Sequence, residues 1–156
     1  MMTPAGAEHG AITVELTLRL GGHVREHRLG KVYAAETGFM ISTDPDTVRA
    51  ADVAFVRADR VPGTPVRGFF AGAPDLAVQV ISPSDRRNDV RAKVTAWIAA
   101  GCQAVWLVDA ATCAITVYQA DGQVEGHQPG DVLYGGGVVP GFEMMVGELF
   151  EDGIGP

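Results

Sequence analysis

The chain has 156 residues, 47% hydrophobic and 20% charged, the size and make-up of one globular unit that can bury a core without staples. It contains no run of about 18 apolar residues, which excludes a membrane-spanning helix. A net charge of -7 opposes tight non-specific binding to nucleic acid unless basic residues gather locally.

The start, from Met1 to His9, lacks a basic stretch followed by an apolar one, so no secretory leader is expected. Leu16, Leu20 and Val24 share a helical stripe and predict a helix over Ala11–Val24, although Ile12, Val14, Leu16, Leu18 and Leu20 also alternate as in a strand. Lys31–Ala35 and Gly38–Ser42 read as two strands separated by a short turn, and Asp44-Pro45-Asp46 as a further turn. Ala51–Val56 is a short strand with an acid, Asp52, near its start. Val61–Pro65 is a loop. Asp75–Ile81 is apolar and β-branched and reads as a buried central strand.

Ser84 is the expected N-cap of a helix over Asp85–Ala100, with Gly101 just beyond its end and Val90, Val94, Trp97 and Ile98 on its buried face. Ala104–Asp109 and Ala114–Tyr118 predict a hairpin. The helix between the strands at Asp75 and Ala104 suggests a crossover connection. From Gly122 the chain is Gly-rich, with a short helix near Val146–Phe150. The expected class is α/β, a mixed sheet flanked by helices in one domain over residues 1–156. Cys102 and Cys113 form no Cys-x-x-Cys pair; reduced thiols, no zinc and a cytoplasmic setting are expected.

Asp52, Asp75 and Gln79 are polar residues within or beside apolar strands, and Lys93 follows on the next helix. Spacing of i, i+4 puts Asp75 and Gln79 on one strand face. Acids on core strands near a lysine suit metal-assisted phosphodiester hydrolysis. Carboxylates hold hard Mg²⁺, the cation lowers the pKa of bound water, and the lysine stabilises charge on phosphate oxygens. Each residue also has a structural reading. Asp52 can cap a strand, Asp75 can be a solvated strand entry, Gln79 can be a core amide, and Lys93 can pair with Asp89. Arg86, Arg87 and Arg91 can meet phosphates or form a solvated helix face balanced by Asp85 and Asp89.

The stretch from Pro74 through Asp75-Leu76-Ala77-Val78-Gln79-Val80-Ile81-Ser82-Pro83-Ser84 to Asp89, then Lys93, Trp97, Gly101 and Val105-Trp106-Leu107-Val108-Asp109, strongly resembles the Uma-two family of restriction-endonuclease-like proteins. The segment Ala51–Val56 and residues His9, Gly38 and Phe39 fit the same pattern, so the resemblance spans His9 to about Tyr118. It implies a fold of the PD-(D/E)XK nuclease superfamily and metal-dependent cleavage, with DNA as substrate. It also implies a homodimer.

Position by position, the resemblance makes Asp52 the first metal-binding acid, Gln79 the position of the second and Lys93 the lysine. Asp75 becomes a supporting acid and metal ligand. Mg²⁺ or Mn²⁺ is the expected cofactor. Gln79 stands where the family carries Glu, and Ala51 where it carries Pro. A segment that the family places ahead of the position of His9 is expected to be missing. Two functions therefore compete: a metal-dependent endonuclease, and an inactive relative serving as a binding or dimerisation module. A small-molecule α/β domain is the weaker third, because Gly135-Gly136-Gly137 lacks the helix and lysine of a phosphate loop.

Overall fold

The computed structural model describes residues 5–151. Met1–Pro4, part of the stretch read for a leader, lie outside them.

Helix α1 spans Ala7–His27 and buries Ile12, Leu16, Leu20 and Val24. The i, i+4 stripe prevails over the strand-like alternation. Val14 and Leu18, which only the alternation would hide, are 59% and 65% exposed. Strands β1 (Gly30–Ala34), β2 (Phe39–Ser42), β3 (Thr47–Arg49) and β4 (Val53–Arg57) follow. After a 3-10 turn at Ala58–Arg60 come β5 (Phe70–Ala71), β6 (Leu76–Ile81) and helix α2 (Arg87–Ala99). The hairpin β7 (Ala104–Asp109) and β8 (Ala114–Gln119) leads to β9 (Val124–His127), then to β10 (Val132–Tyr134) and β11 (Glu143–Met145). A 3-10 turn at Val146–Phe150 stands where a short helix was expected.

The main sheet has the order β1-β4-β6-β7-β8-β9. Its parallel pair, β6 and β7, is the pair joined by α2, as a crossover requires. β6 lies inside the sheet with neighbours on both sides, as its apolar run predicts. β1 and β2 are consecutive but not partners. β1 pairs with β4, while β2 joins a small sheet of order β3-β2-β5. The chain turns away between them at Glu36, whose φ is 70°.

Alternation along the strands sorts the core into two layers. Val53 and Phe55 of β4 and Leu76, Val78 and Val80 of β6 pack with the α1 stripe. Ala54, Val56 and Ala77 point the other way, to Val94 and Trp97 of α2 and to Phe39 and Phe70 of the small sheet.

Helix α2 starts later than its sequence suggests. Arg86, not Ser84, is its N-cap residue, and no side chain caps it. Asp85 is drawn into a turn instead: its N–H donates to the Ser82 carbonyl at 3.0 Å and its carboxylate accepts the Ser82 N–H at 2.8 Å. Asp and Ser offer this local competition with helical bonding. Beyond β9 the Gly-rich stretch is more ordered than composition implied. A Cβ at Gly135 would collide with the Val139 carbonyl oxygen, which ties the β10–β11 hairpin to a tight turn there.

Candidate functional site

The antiparallel ladder of β4 and β6 pairs Val53 with Val78, Ala54 with Ala77 and Phe55 with Leu76. One step further, the same register sets Asp52 against Gln79. Period two places Asp52 with Ala54 and Val56, and Gln79 with Ala77, on the α2 side of the sheet. The Asp52 carboxylate accepts the Val80 N–H through Oδ2 at 2.7 Å, fixing it to the main chain of β6. Its Oδ1 lies 3.3 Å from Nε2 of His9, from the first turn of α1, and each side chain is 20% exposed.

A cavity of about 320 Å³ opens over this pair, with His9, Asp52, Gln79, Ser84, Asp85 and Lys93 in its walls. The structure thus brings Asp52, Gln79 and Lys93 together across three elements, with His9 beside them. Lys93 is exposed, and among the described residues no carboxylate lies within ion-pairing distance of it, so the expected pair with Asp89 is not formed. Asp85 reaches the cavity wall, but its Oδ2 is occupied by the N–H and hydroxyl of Ser82, at 2.8 and 3.2 Å.

Asp75 is not brought to this cavity. It shares a strand face with Gln79 but stands four residues back, about 13 Å along the strand at 3.3 Å per residue. It is the buried charged residue of the core, 2% exposed. Its carboxylate accepts the Arg57 N–H at 2.8 Å and a Gln103 side-chain N–H at 3.3 Å, and pairs with Arg60 at 3.0 Å. The reading of Asp75 as a supporting acid and metal ligand, and the alternative of a solvated strand entry, both give way to a buried, fully engaged carboxylate. Sequence reasoning missed Arg60, whose place at Asp75 depends on the 3-10 turn after β4.

The possible metal ligands in the cavity walls are two carboxylates (Asp52, and Asp85 with its Oδ2 tied to Ser82), one amide (Gln79) and one imidazole (His9). Among the described residues no three His, Cys, Asp or Glu side chains converge as a metal cluster. Mg²⁺ is commonly held by only one or two carboxylates, with waters and substrate phosphates supplying the rest. Asp52 and the carbonyl oxygen of Gln79 meet the lower end of that requirement. The residues fit a cation held weakly and completed by a phosphate, and do not fit a tightly bound resident ion.

The Uma2 family, described as "Putative restriction endonuclease", matches residues 1–147. A solved structure from Anabaena variabilis ATCC 29413, titled a "putative nuclease belonging to DUF820", superposes with a TM-score of 0.83 at 20% identity. The match covers 96% of this chain and 83% of that one, and it shows a shared mixed α/β fold. No curated protein matches the chain.

Proposed function

The chain belongs to the Uma2 family, and we propose that it is an endonuclease-type hydrolase acting on phosphodiester bonds, with DNA as substrate and a divalent cation as cofactor. The observation that carries this reading is the convergence of Asp52, Gln79 and Lys93 on one cavity.

Asp52 and Gln79 would hold Mg²⁺ or Mn²⁺, which when bound supplies an activated water and neutralises charge on phosphate. The Val80 N–H holds one oxygen of Asp52 and leaves Oδ1 toward His9 and the cavity. Lys93, a compact mobile charge, donates hydrogen bonds to non-bridging phosphate oxygens. His9, with Nε2 3.3 Å from Oδ1, is placed to orient that carboxylate. Gln79 contributes an oxygen but no charge, so the site is one negative charge short and binds its cation weakly. The same reading carries a single restriction-endonuclease-like domain, a homodimer and a cytoplasmic setting. Among the described residues no helix is long and apolar enough to cross a membrane.

The neutral Gln79 also favours a second reading, an inactive relative that binds or dimerises without cutting. Cleavage of supercoiled plasmid in Mg²⁺ or Mn²⁺ separates the two. Asp52→Asn keeps an acceptor for the Val80 N–H and should abolish cutting; Gln79→Glu should raise both cutting and Mn²⁺ affinity. Cutting that persists in Asp52→Asn removes this site from the chemistry. Silence from the natural chain and from Gln79→Glu favours the binding module.

A further inference from the structure

Next to the Asp52 cavity, across Ser84, Asp85 and Lys93, lies a second one of about 480 Å³. Arg49 of β3 and Arg86 at the start of α2 line it, together with Lys93. Its two carboxylates are Asp85, already occupied by Ser82, and Asp89. Among the described residues neither Arg49 nor Arg86 pairs with an acid. Three cations meet two carboxylates here, so the cavity is net positive on a chain whose net charge is -7.

Arg49 gives the sharper sign. Its Nε is shielded from solvent and, among the described residues, is the buried side-chain polar atom with no hydrogen-bond partner. A buried donor on a charged guanidinium calls for an acceptor. The shielded Nε finds no acceptor within the protein, and the part of Arg49 that lines the cavity is left for a phosphate oxygen, the acceptor that a guanidinium fork matches best.

We propose that Arg49 and Arg86 form a phosphate subsite that grips the nucleic-acid backbone one position away from the phosphate held over Asp52 and Lys93. The subsite reads no base; it fixes register along the strand. Lys93 stands in both cavities and links the two phosphate positions. The inference rests on the phosphodiester reading above and extends it to Arg49 and Arg86, which that reading does not name.

The test is duplex DNA binding by fluorescence anisotropy in EDTA over a range of salt, beside plasmid cleavage. Each phosphate contact contributes about 0.9 to the slope of log affinity against log salt. Arg49→Ala and Arg86→Ala should each lower that slope by about one and weaken binding alike on unrelated sequences. Arg67→Ala, an exposed position outside both cavities, should leave it unchanged. Arg49→Lys restores charge without Nε and should recover the slope in part, provided thermal melting shows both Arg49 variants folded.

An unchanged slope in Arg49→Ala and Arg86→Ala overturns the subsite, even where Asp52→Asn abolishes cutting. A lowered slope in a chain that never cuts supports the subsite and removes only the nuclease reading. A natural chain that binds no DNA in EDTA overturns the subsite, and one that also leaves plasmid uncut in Mg²⁺ or Mn²⁺ overturns both. Titration with inorganic phosphate, followed through the arginine Nε–H resonances, separates the sources: capture of the free ion as tightly as of DNA would overturn a backbone-tracking role.

Discussion

Asp75 is where the structure departs furthest from the sequence reading, and its replacement tests that departure. Asp75→Ala strips the Arg57 N–H and Arg60 of their acceptor inside the sheet. A hydrogen bond to a buried charged group is worth about 1.5–3 kcal/mol. The Arg60 pair adds less, because the Arg60 side chain is 35% exposed and water takes over part of its solvation, which leaves about 1 kcal/mol. The expected loss is about 2.5–4 kcal/mol, a large share of the roughly 5–15 kcal/mol that holds an ordinary domain. Asp75→Asn retains an oxygen for the Arg57 N–H and should lose about 1–2 kcal/mol.

Urea unfolding followed by tryptophan fluorescence reads this directly, since Trp97 and Trp106 are 1% and 2% exposed. A second measurement, the Asp75→Asn and Arg60→Ala cycle, should return a positive coupling of about 1 kcal/mol. Two results would refute the reasoning: Asp75→Ala costing under about 1 kcal/mol, or Asp75→Asn losing DNA cleavage with its urea midpoint unmoved. The second would put Asp75 back among the catalytic acids.

Leu16 is wholly buried between α1 and the sheet, so Leu16→Ala should cost about 2–5 kcal/mol, while the exposed Leu18→Ala should change the urea midpoint little. Burial pushes the Cys102 thiol up to about 12, with the nearby Asp75 charge adding to the shift. A thiol-directed reagent at neutral pH should therefore label the half-buried Cys113 first and reach Cys102 only on unfolding, as peptide mass spectrometry would show. The unfolded chain ionises Cys102 at a lower pH than the folded one. Stability should therefore fall as pH rises from about 9 toward about 12, an effect that Cys102→Ala should remove in alkaline urea melts.

Local pattern accounts for what was legible. The stripe Ile12, Leu16, Leu20 and Val24, the apolar run of β6 and the crossover through α2 need only neighbours in sequence. Asp52, Gln79 and Lys93 were legible because each interrupts or follows such a pattern. Asp75 misled because period two reports which face a side chain occupies, not where along the strand a cavity opens. Arg49 carried no signal: it sits on a three-residue strand, and its place beside Arg86 depends on how the small sheet packs. The start of α2 escaped because Ser84 and Asp85 suit a cap and a turn equally well, and Ser82 decided between them.

The two aspartates at the ends of the β4–β6 ladder give it a consequence for error. With three pairs between them, that ladder is short enough to slip. A slip of one residue would turn Gln79 and Ala77 toward α1 and carry Leu76, Val78 and Val80 out to the α2 side. It would also move Asp52 off the Val80 N–H and Asp75 off the Arg57 N–H. Mispairing therefore strands two carboxylates and mispacks both core layers in a single step. The fold cannot tolerate a version of itself in which the cavity is mislaid, and the placement of its reactive groups inherits the fidelity of the core.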